Sequence, residues 1–154
     1  WATPDDSQRV REIACEAWEP LYHAVEDTLG DEICALTHPG ATDRRAGEWA
    51  EATADGSPVL LAESGGRPVG FACLDADESR KLGKLRTVAV TPGSQGGGVG
   101  SGLCMEVFHM FRERGLEYVV LWANQGEVSP ETRRLCWRVG MYHEVLSTNY
   151  YMML

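Results

Sequence analysis

A cluster of glycines between a strand pattern and a helix pattern constrains the fold of this chain more than any other feature. Gly96-Gly97-Gly98-Val99-Gly100 stands there, followed by apolar residues at helical spacing. Glycine lets the main chain approach a ligand without a Cβ clash, and the first N–H groups of a helix have no helical partner. The segment therefore predicts an anion-binding loop, and a flexible loop without a ligand is the alternative. The preceding strand, Lys84–Val90, is predicted to alternate Leu85, Thr87 and Ala89 against Arg86, Val88 and Val90.

The loop differs from the two common nucleotide-binding motifs. It lacks the Lys-Ser/Thr pair of a P-loop, and its glycines do not follow the G-x-G-x-x-G spacing. Nucleotide hydrolysis and dinucleotide binding are therefore disfavoured. A flavin- or nucleotide-phosphate-binding α/β protein is consequently the least favoured functional hypothesis for this chain.

The remaining segments predict an order of elements typical of a mixed α/β fold. Tyr118–Trp122 is continuously apolar, which predicts a central strand covered on both faces. We expect residues 1–154 to form one domain, a mixed sheet flanked by helices. The expected helices cover about 4–18, 19–29, 31–36, 43–54, 99–114 and 130–139, and the expected strands cover about 59–62, 69–74, 84–90, 118–122, 141–146 and 149–154.

The charge of the chain is unevenly distributed. It carries 23 acids and 14 bases, a net charge of −9, which opposes binding to a nucleic-acid phosphate backbone. Residues 1–66 hold 14 acids and 4 bases, whereas the rest of the chain is nearly neutral. The acidic part would attract a cationic ligand, and a solubility or salt-adaptation trait explains the same total.

Cysteine, histidine and hydropathy patterns exclude several further classes of protein and of site. The five cysteines form no C-x-x-C pair and the four histidines are scattered, so we expect no disulfide framework and no metal site. No apolar run approaches the roughly 20 residues of a membrane helix, and no signal-peptide pattern precedes the first helix. The sequence therefore predicts a cytoplasmic protein that binds neither membrane nor nucleic acid.

The glycine segment resembles the cofactor motif of the GNAT superfamily of acyl-CoA-dependent N-acetyltransferases. That motif is a strand ending in V-x-P, followed by Q/R-x-x-G-x-G/A at the start of a helix. In this chain it reads Val90-Thr91-Pro92, then Gln95 to Gly100. The resemblance implies a single-domain GNAT-like fold: a mixed, mostly antiparallel sheet with a splayed central pair of strands, flanked by helices.

The resemblance also implies acetyl-CoA (coenzyme A) as the cofactor and a set of residues that bind it. Val88 and Val90 would hydrogen-bond the pantetheine arm through the main chain. Ser129 falls where many members have an asparagine that touches the same arm, and a helix N-cap is its alternative role. The pyrophosphate would lie on the loop and the helix start, at Gln95, Gly96, Gly97, Gly98, Gly100 and Ser101.

The implied reaction is direct attack of a primary amine, on a small molecule or a peptide, on the thioester carbonyl. Cys136 occupies the position of the tyrosine acid of many members, and packing under the helix is its alternative role. Lys84 replaces the glutamate of some members, so the base is open between water, His143 and the acids Asp75, Asp77 and Glu78. A non-catalytic acyl-CoA-binding or regulatory module is the alternative to an enzyme. A homodimer is common in the family.

Overall fold

The computed structural model describes residues 1–37, 39–121 and 130–144. A short 3-10 turn at Pro4–Asp6 precedes the first helix, and two others lie at Glu78–Arg80 and Pro92–Ser94. The helices and strands, in chain order, are α1 (Ser7–Leu29), α2 (Asp31–Thr37), α3 (Ala41–Ala54), β1 (Val59–Ser64), β2 (Arg67–Asp77), β3 (Leu82–Val90), α4 (Val99–Glu113), β4 (Tyr118–Leu121) and α5 (Pro130–Arg138).

The four strands form one mixed sheet with helices on both faces. Their order is β1-β2-β3-β4, with two antiparallel pairs followed by a parallel pair between β3 and β4. One core joins α1 and α3 to the sheet through Ile13, Trp49 and Phe71, and the other joins α4 through Leu85 and Phe111. The predicted fold class, a mostly antiparallel α/β sheet flanked by helices, is confirmed.

The first helix is longer than the sequence pattern predicted. We expected two helices meeting near Glu19, but α1 continues through Pro20 to Leu29. Proline removes one i−4 hydrogen bond, and its exposed position leaves the freed carbonyl on the side of the helix that water can reach. Packing against α3 stabilises the long helix despite the local cost.

A β-bulge in β3 overturns the predicted alternation of that strand. Cys73 pairs with Thr87 and the next residue of β2, Leu74, pairs with Leu85, so Arg86 is the extra residue. Leu85 packs under α4, whereas Ala89 packs under α1 and α3. The prediction that Leu85, Thr87 and Ala89 share a face is therefore wrong for Leu85. The inserted residue shifts the alternation by one position, so Leu85 faces α4 and Ala89 faces α1 and α3.

The fourth strand is less covered than predicted. β4 pairs with β3 only from Leu82↔Tyr118 to Leu85↔Leu121, and in the described ranges it has no second neighbour. Tyr118 is 66% exposed and the next three residues are half-buried, so the expected cover on both faces is wrong for this strand.

The predicted strand at 141–146 is not found in its described portion. Met141–Glu144 has no ladder partner among the described residues. Its first N–H closes α5 by donating to the Cys136 carbonyl at 2.9 Å. Trp122, Ser129 and the strand expected at 149–154 lie outside the described residues.

Two negative observations apply to residues 1–37, 39–121 and 130–144. None of the helices there has the length and apolarity needed to cross a bilayer. No three His, Cys, Asp or Glu side chains in these ranges are grouped so that they could share a metal ion.

Gly83 provides a test of the packing between the sheet and α4. A Cβ built on Gly83 would lie 2.3 Å from Cδ2 of Phe111, whose side chain is fully buried. We expect Gly83→Ala to lower the free energy of unfolding by about 1–3 kcal/mol through overpacking. Gly102→Ala is the control, because its Cβ would meet nothing within 4 Å and alanine favours the helix. Urea unfolding of both variants checks this, and a Gly83→Ala midpoint at or above that of the parent would contradict it.

Candidate functional site

The glycine loop is attached to the end of β3 by two hydrogen bonds. The Thr91 N–H donates to the Val69 carbonyl at 2.9 Å, which extends the β2–β3 ladder. The Gln95 side-chain amide donates to the Val90 carbonyl at 2.9 Å. The second bond folds the loop back over the strand end, so the loop begins beside β3 rather than projecting into solvent.

The glycines of the loop have different roles. Gly96 and Gly98 adopt φ values of +78° and +87°, a left-handed region that disfavours residues with a Cβ. A Cβ at either position would meet nothing within 4 Å, so their requirement is conformational. A Cβ at Gly100 would make ordinary contact with Leu135 of α5 at 3.6 Å. Gly100 therefore marks where the start of α4 meets α5.

The start of α4 presents main-chain donors beside this loop. The Gly102 N–H donates to the Gly98 carbonyl at 2.8 Å, as the first i−4 bond of the helix requires. The N–H groups of Val99, Gly100 and Ser101 precede it and have no i−4 carbonyl within the helix. Together with the helix dipole, these donors favour an anion at the exposed loop.

Val88 and Val90 turn their main-chain polar groups away from β2. Hydrogen-bonded pairs alternate along an antiparallel ladder, and the bond from Thr91 to Val69 fixes the phase. The pairs Val88↔Ala72 and Val90↔Gly70 are therefore non-hydrogen-bonded. The main-chain N–H and C=O groups of Val88 and Val90 point to the other edge of β3, away from β2. In the described part of the chain, β4 pairs with β3 from Leu82 to Leu85, and no described strand pairs with this edge of β3 from Arg86 to Val90.

The segment that includes β3 and the glycine loop contains no acid. Residues 79–105 have four bases, Arg80, Lys81, Lys84 and Arg86, and neither aspartate nor glutamate. The chain is strongly acidic elsewhere, so the local charge differs in sign from the total. An anionic ligand at the loop would meet no opposing carboxylate from this segment.

Cys136 lies on α5, one residue after the contact between Leu135 and Gly100, and it is half-buried. Burial raises the pKa of its thiol, and the Glu144 carboxylate raises it further. Burial, followed by a smaller effect of Cys136, raises the pKa of Cys104 on α4 to about 12. Both thiols are therefore protonated at neutral pH.

The acids considered as bases already have partners. Asp75 lies 3.7 Å from Lys84 and accepts the Ala76 N–H at 2.8 Å. Asp77 accepts the Ser79 hydroxyl at 2.7 Å, and that bond is the main cause of its lowered pKa. Glu78 pairs with Arg114 at 2.9 Å. Their contacts indicate structural roles around the turn that follows β2.

The structure brings the predicted loop residues and the two valines to one end of β3, and α5 carries Cys136 to the same side of the sheet. His143 is exposed and belongs to no strand, and Ser129 lies outside the described residues. Sequence reasoning missed the bulge at Arg86 and the contact of that side chain with Trp49, 5.3 Å from guanidinium carbon to ring centroid. Nothing in the residue pattern of Lys84–Val90 distinguishes Arg86 as the inserted residue, so the sequence offered no local signal for either feature.

Comparison with known proteins identifies relatives of this fold. A mycothiol acetyltransferase of Streptomyces griseus subsp. griseus is 30% identical over 98 residues, which are 64% of this chain and 31% of that protein. The chain thus spans about a third of the length of this curated relative. The PaiA N-acetyltransferase of Thermoplasma acidophilum, solved in complex with coenzyme A, has a TM-score of 0.63 at 15% identity and covers 96% of this chain and 89% of its own.

A ribosomal-protein-alanine N-acetyltransferase of Brucella melitensis has a TM-score of 0.56 at 23% identity, over 90% of this chain and 80% of its own. At such identities these two structures establish the fold alone. The family model described as the acetyltransferase (GNAT) family matches residues 8–135. Because that match extends over most of the sequence and includes the glycine loop, the chain belongs to the GNAT acetyltransferase family.

Proposed function

We propose that this protein transfers an acetyl group from acetyl-CoA to a primary amine of a small molecule or peptide. The observation that carries the proposal is that the main-chain groups of Val88 and Val90 face away from β2, on an edge where no described strand pairs with them. This edge leads directly into the glycine loop. Such an edge offers main-chain donors and acceptors to an amide-containing arm, and the loop offers donors to a phosphate. The coenzyme A bound to the Thermoplasma relative supports acyl-CoA as the cosubstrate.

Each part of the site has a binding role in this proposal. The N–H groups of the loop and of the first turn of α4, from Gln95 to Ser101, would hold the pyrophosphate. Val88 and the Val90 N–H would hydrogen-bond the pantetheine arm, because Gln95 already occupies the Val90 carbonyl. Acetyl-CoA, when bound, supplies an activated thioester carbonyl. A main-chain N–H on the edge of β3 would stabilise negative charge on its oxygen.

Proton transfer is assigned to Cys136 and to water. The raised pKa of Cys136 keeps a proton on its sulfur at neutral pH, so the thiol can protonate a departing thiolate. Asp75, Asp77 and Glu78 are held by other partners, and the amine proton would therefore leave to water. Loss of activity is expected as the pH rises through the Cys136 pKa, because the acid form is then lost.

The proposal of an amine acceptor rests on the negative charge of the N-terminal helices. The excess of acids in residues 1–66 belongs mainly to α1, α2 and α3, and α1 and α3 cover one face of the sheet. Glu16, Glu19, Glu26 and Asp43 line a cleft of about 460 Å³ among these helices. Their field would draw a protonated amine toward this face. The N-acetyltransferase names of the Thermoplasma and Brucella neighbours support a nitrogen acceptor.

A binding module without turnover is the second candidate. Two residues favour it, because Cys136 replaces the tyrosine and Lys84 the glutamate of catalytic relatives. Stabilisation by acetyl-CoA without release of free thiol across a panel of amines would select this candidate over the enzyme.

Acetyl-CoA is expected to stabilise the folded protein. Free ligand at a hundredfold excess over the dissociation constant adds about 2.7 kcal/mol to the free energy of unfolding, measured as a shift in melting temperature. Gly98→Ala should reduce that shift, because a residue with a Cβ in the αL region costs about 1–2 kcal/mol. A change of backbone conformation that relieves this cost would displace the main-chain N–H groups of the loop. Gly102→Ala, one turn into the same helix, should keep the full shift. An unchanged melting temperature at millimolar acetyl-CoA would contradict the proposal.

Substitution of Cys136 tests the proton donor. Cys136→Ala should lower kcat by about a hundredfold or more if the thiol protonates the leaving group. The measurement is release of free thiol from acetyl-CoA with the best amine of the panel. The melting shift that acetyl-CoA produces should be the same in Cys136→Ala as in the parent. Cys34→Ala, on α2, is the matched control. Turnover of Cys136→Ala equal to that of the parent would remove the thiol from the mechanism and leave it a packing role.

A further inference from the structure

A second cavity lies on the face of the sheet that carries α1 and α3. Its volume is about 250 Å³, and its wall includes Trp49 of α3, Ser57 before β1, Cys73 and Asp75 of β2, and Arg86 of β3. Arg86 is the extra residue of the β3 bulge. Arg86 lies on the face opposite Leu85 and therefore contributes a cation to this wall.

The Arg86 guanidinium has no carboxylate partner among the described residues. The guanidinium lies over the Trp49 ring instead, with its Cζ 5.3 Å from the ring centroid. Asp75, the acid of the cavity wall, is engaged by Lys84 at 3.7 Å and by the Ala76 N–H. The planar fork of the guanidinium thus remains available for a ligand, and it matches a carboxylate in shape and charge.

Trp49 contributes a second unused donor. The residue is 8% exposed, and its Nε1 is buried without a hydrogen-bond acceptor in the described part of the chain. A buried N–H without a partner is destabilising, and indole nitrogens normally find one. The indole can only donate, as can the guanidinium stacked on it. The pair therefore suits a ligand group that only accepts hydrogen bonds.

The cavity lies close to the strand segment proposed to hold the cofactor. The last β3–β4 pair among the described residues is Leu85↔Leu121, and Arg86 follows it on β3. Val88, whose main-chain groups face away from β2, lies two residues further, roughly 7 Å along the strand. A ligand anchored at Arg86 can therefore extend one end toward the edge where the thioester carbonyl is proposed to lie.

We propose that this cavity binds a carboxylate of the acceptor, with Arg86 and the Trp49 N–H as its donors. The acceptor is then an amino acid or peptide in which several bonds separate the amine from the carboxylate. This assignment rests on the proposed acetyl transfer and specifies its acceptor class. The acids of α1 to α3 attract the ammonium group, and Arg86 orients the molecule by its opposite end.

The binding test uses the whole protein labelled with ¹⁵N at tryptophan and saturated with coenzyme A, so that no turnover occurs. The indole signal missing in Trp49→Phe assigns Trp49. γ-Aminobutyrate should move that signal downfield, whereas n-butylamine, which has the same chain length without a carboxylate, should not. Arg86→Gln should abolish the movement, and Arg67→Gln, at the exposed first residue of β2, should preserve it. A stationary Trp49 signal with γ-aminobutyrate overturns the assignment.

The kinetic test compares the same two amines as acceptors. The parent should prefer γ-aminobutyrate over n-butylamine in kcat/KM, and Arg86→Gln should reduce that preference by roughly tenfold to a hundredfold, the value of a charged hydrogen bond. Arg86→Lys, which keeps the charge but loses the fork, should fall between the two. An equal preference in parent and Arg86→Gln overturns the acceptor assignment.

Failure of the proposed function gives a different result. In that case acetyl-CoA produces no melting shift in the parent, whatever the indole signal does. A melting shift with acetyl-CoA and a stationary Trp49 signal leaves acetyl transfer intact and overturns only the carboxylate pocket. A moving Trp49 signal without thiol release retains a carboxylate site and overturns its role in an acceptor.

Discussion

The one-residue bulge at Arg86 is the constraint on which the rest of this site depends. It lets Leu85 join the core beneath α4 while Ala89, four residues later, joins the core beneath α1 and α3. Regular alternation would have kept both on one face. The exchange also aligns Val88 and Val90 with the α4 side. One inserted residue thus connects the two cores to the strand segment that leads into the glycine loop.

Close packing at Gly70 places the donors of α4 beside the end of β3. A Cβ on Gly70 would lie 3.0 Å from the Ala89 carbonyl and 3.3 Å from Cγ1 of Val99. The absence of a side chain therefore lets the first residue of α4 approach the β2–β3 pair. Gln95 adds a hydrogen bond from the loop to the Val90 carbonyl. The strand edge and the anion-binding loop consequently belong to one continuous surface.

Local signals explain what the sequence predicted and tertiary contacts explain what it did not. Glycines that adopt positive φ, at Gly96 and Gly98, are needed by the loop itself, so the loop could be found from the sequence. The bulge depends on the register between β2 and β3, and the uniform pattern of Lys84–Val90 contains no sign of it. The continuity of α1 through Pro20 likewise depends on packing against α3. Trp49 and Arg86 are far apart in sequence, and only the fold brings them together.

The distribution of charge around the bulge bears on selectivity more than the net charge does. A net charge of −9 would favour any cation, and simple amines are abundant. Long-range attraction is screened within about 10 Å at ordinary ionic strength, so it distinguishes poorly between amines. Arg86 acts at contact distance beside the buried ring of Trp49, and the fixed geometry of its guanidinium fork discriminates between ligand groups. An acceptor that lacks a carboxylate would leave both donors unpaired, and that penalty gives selectivity that the acidic helices alone cannot provide.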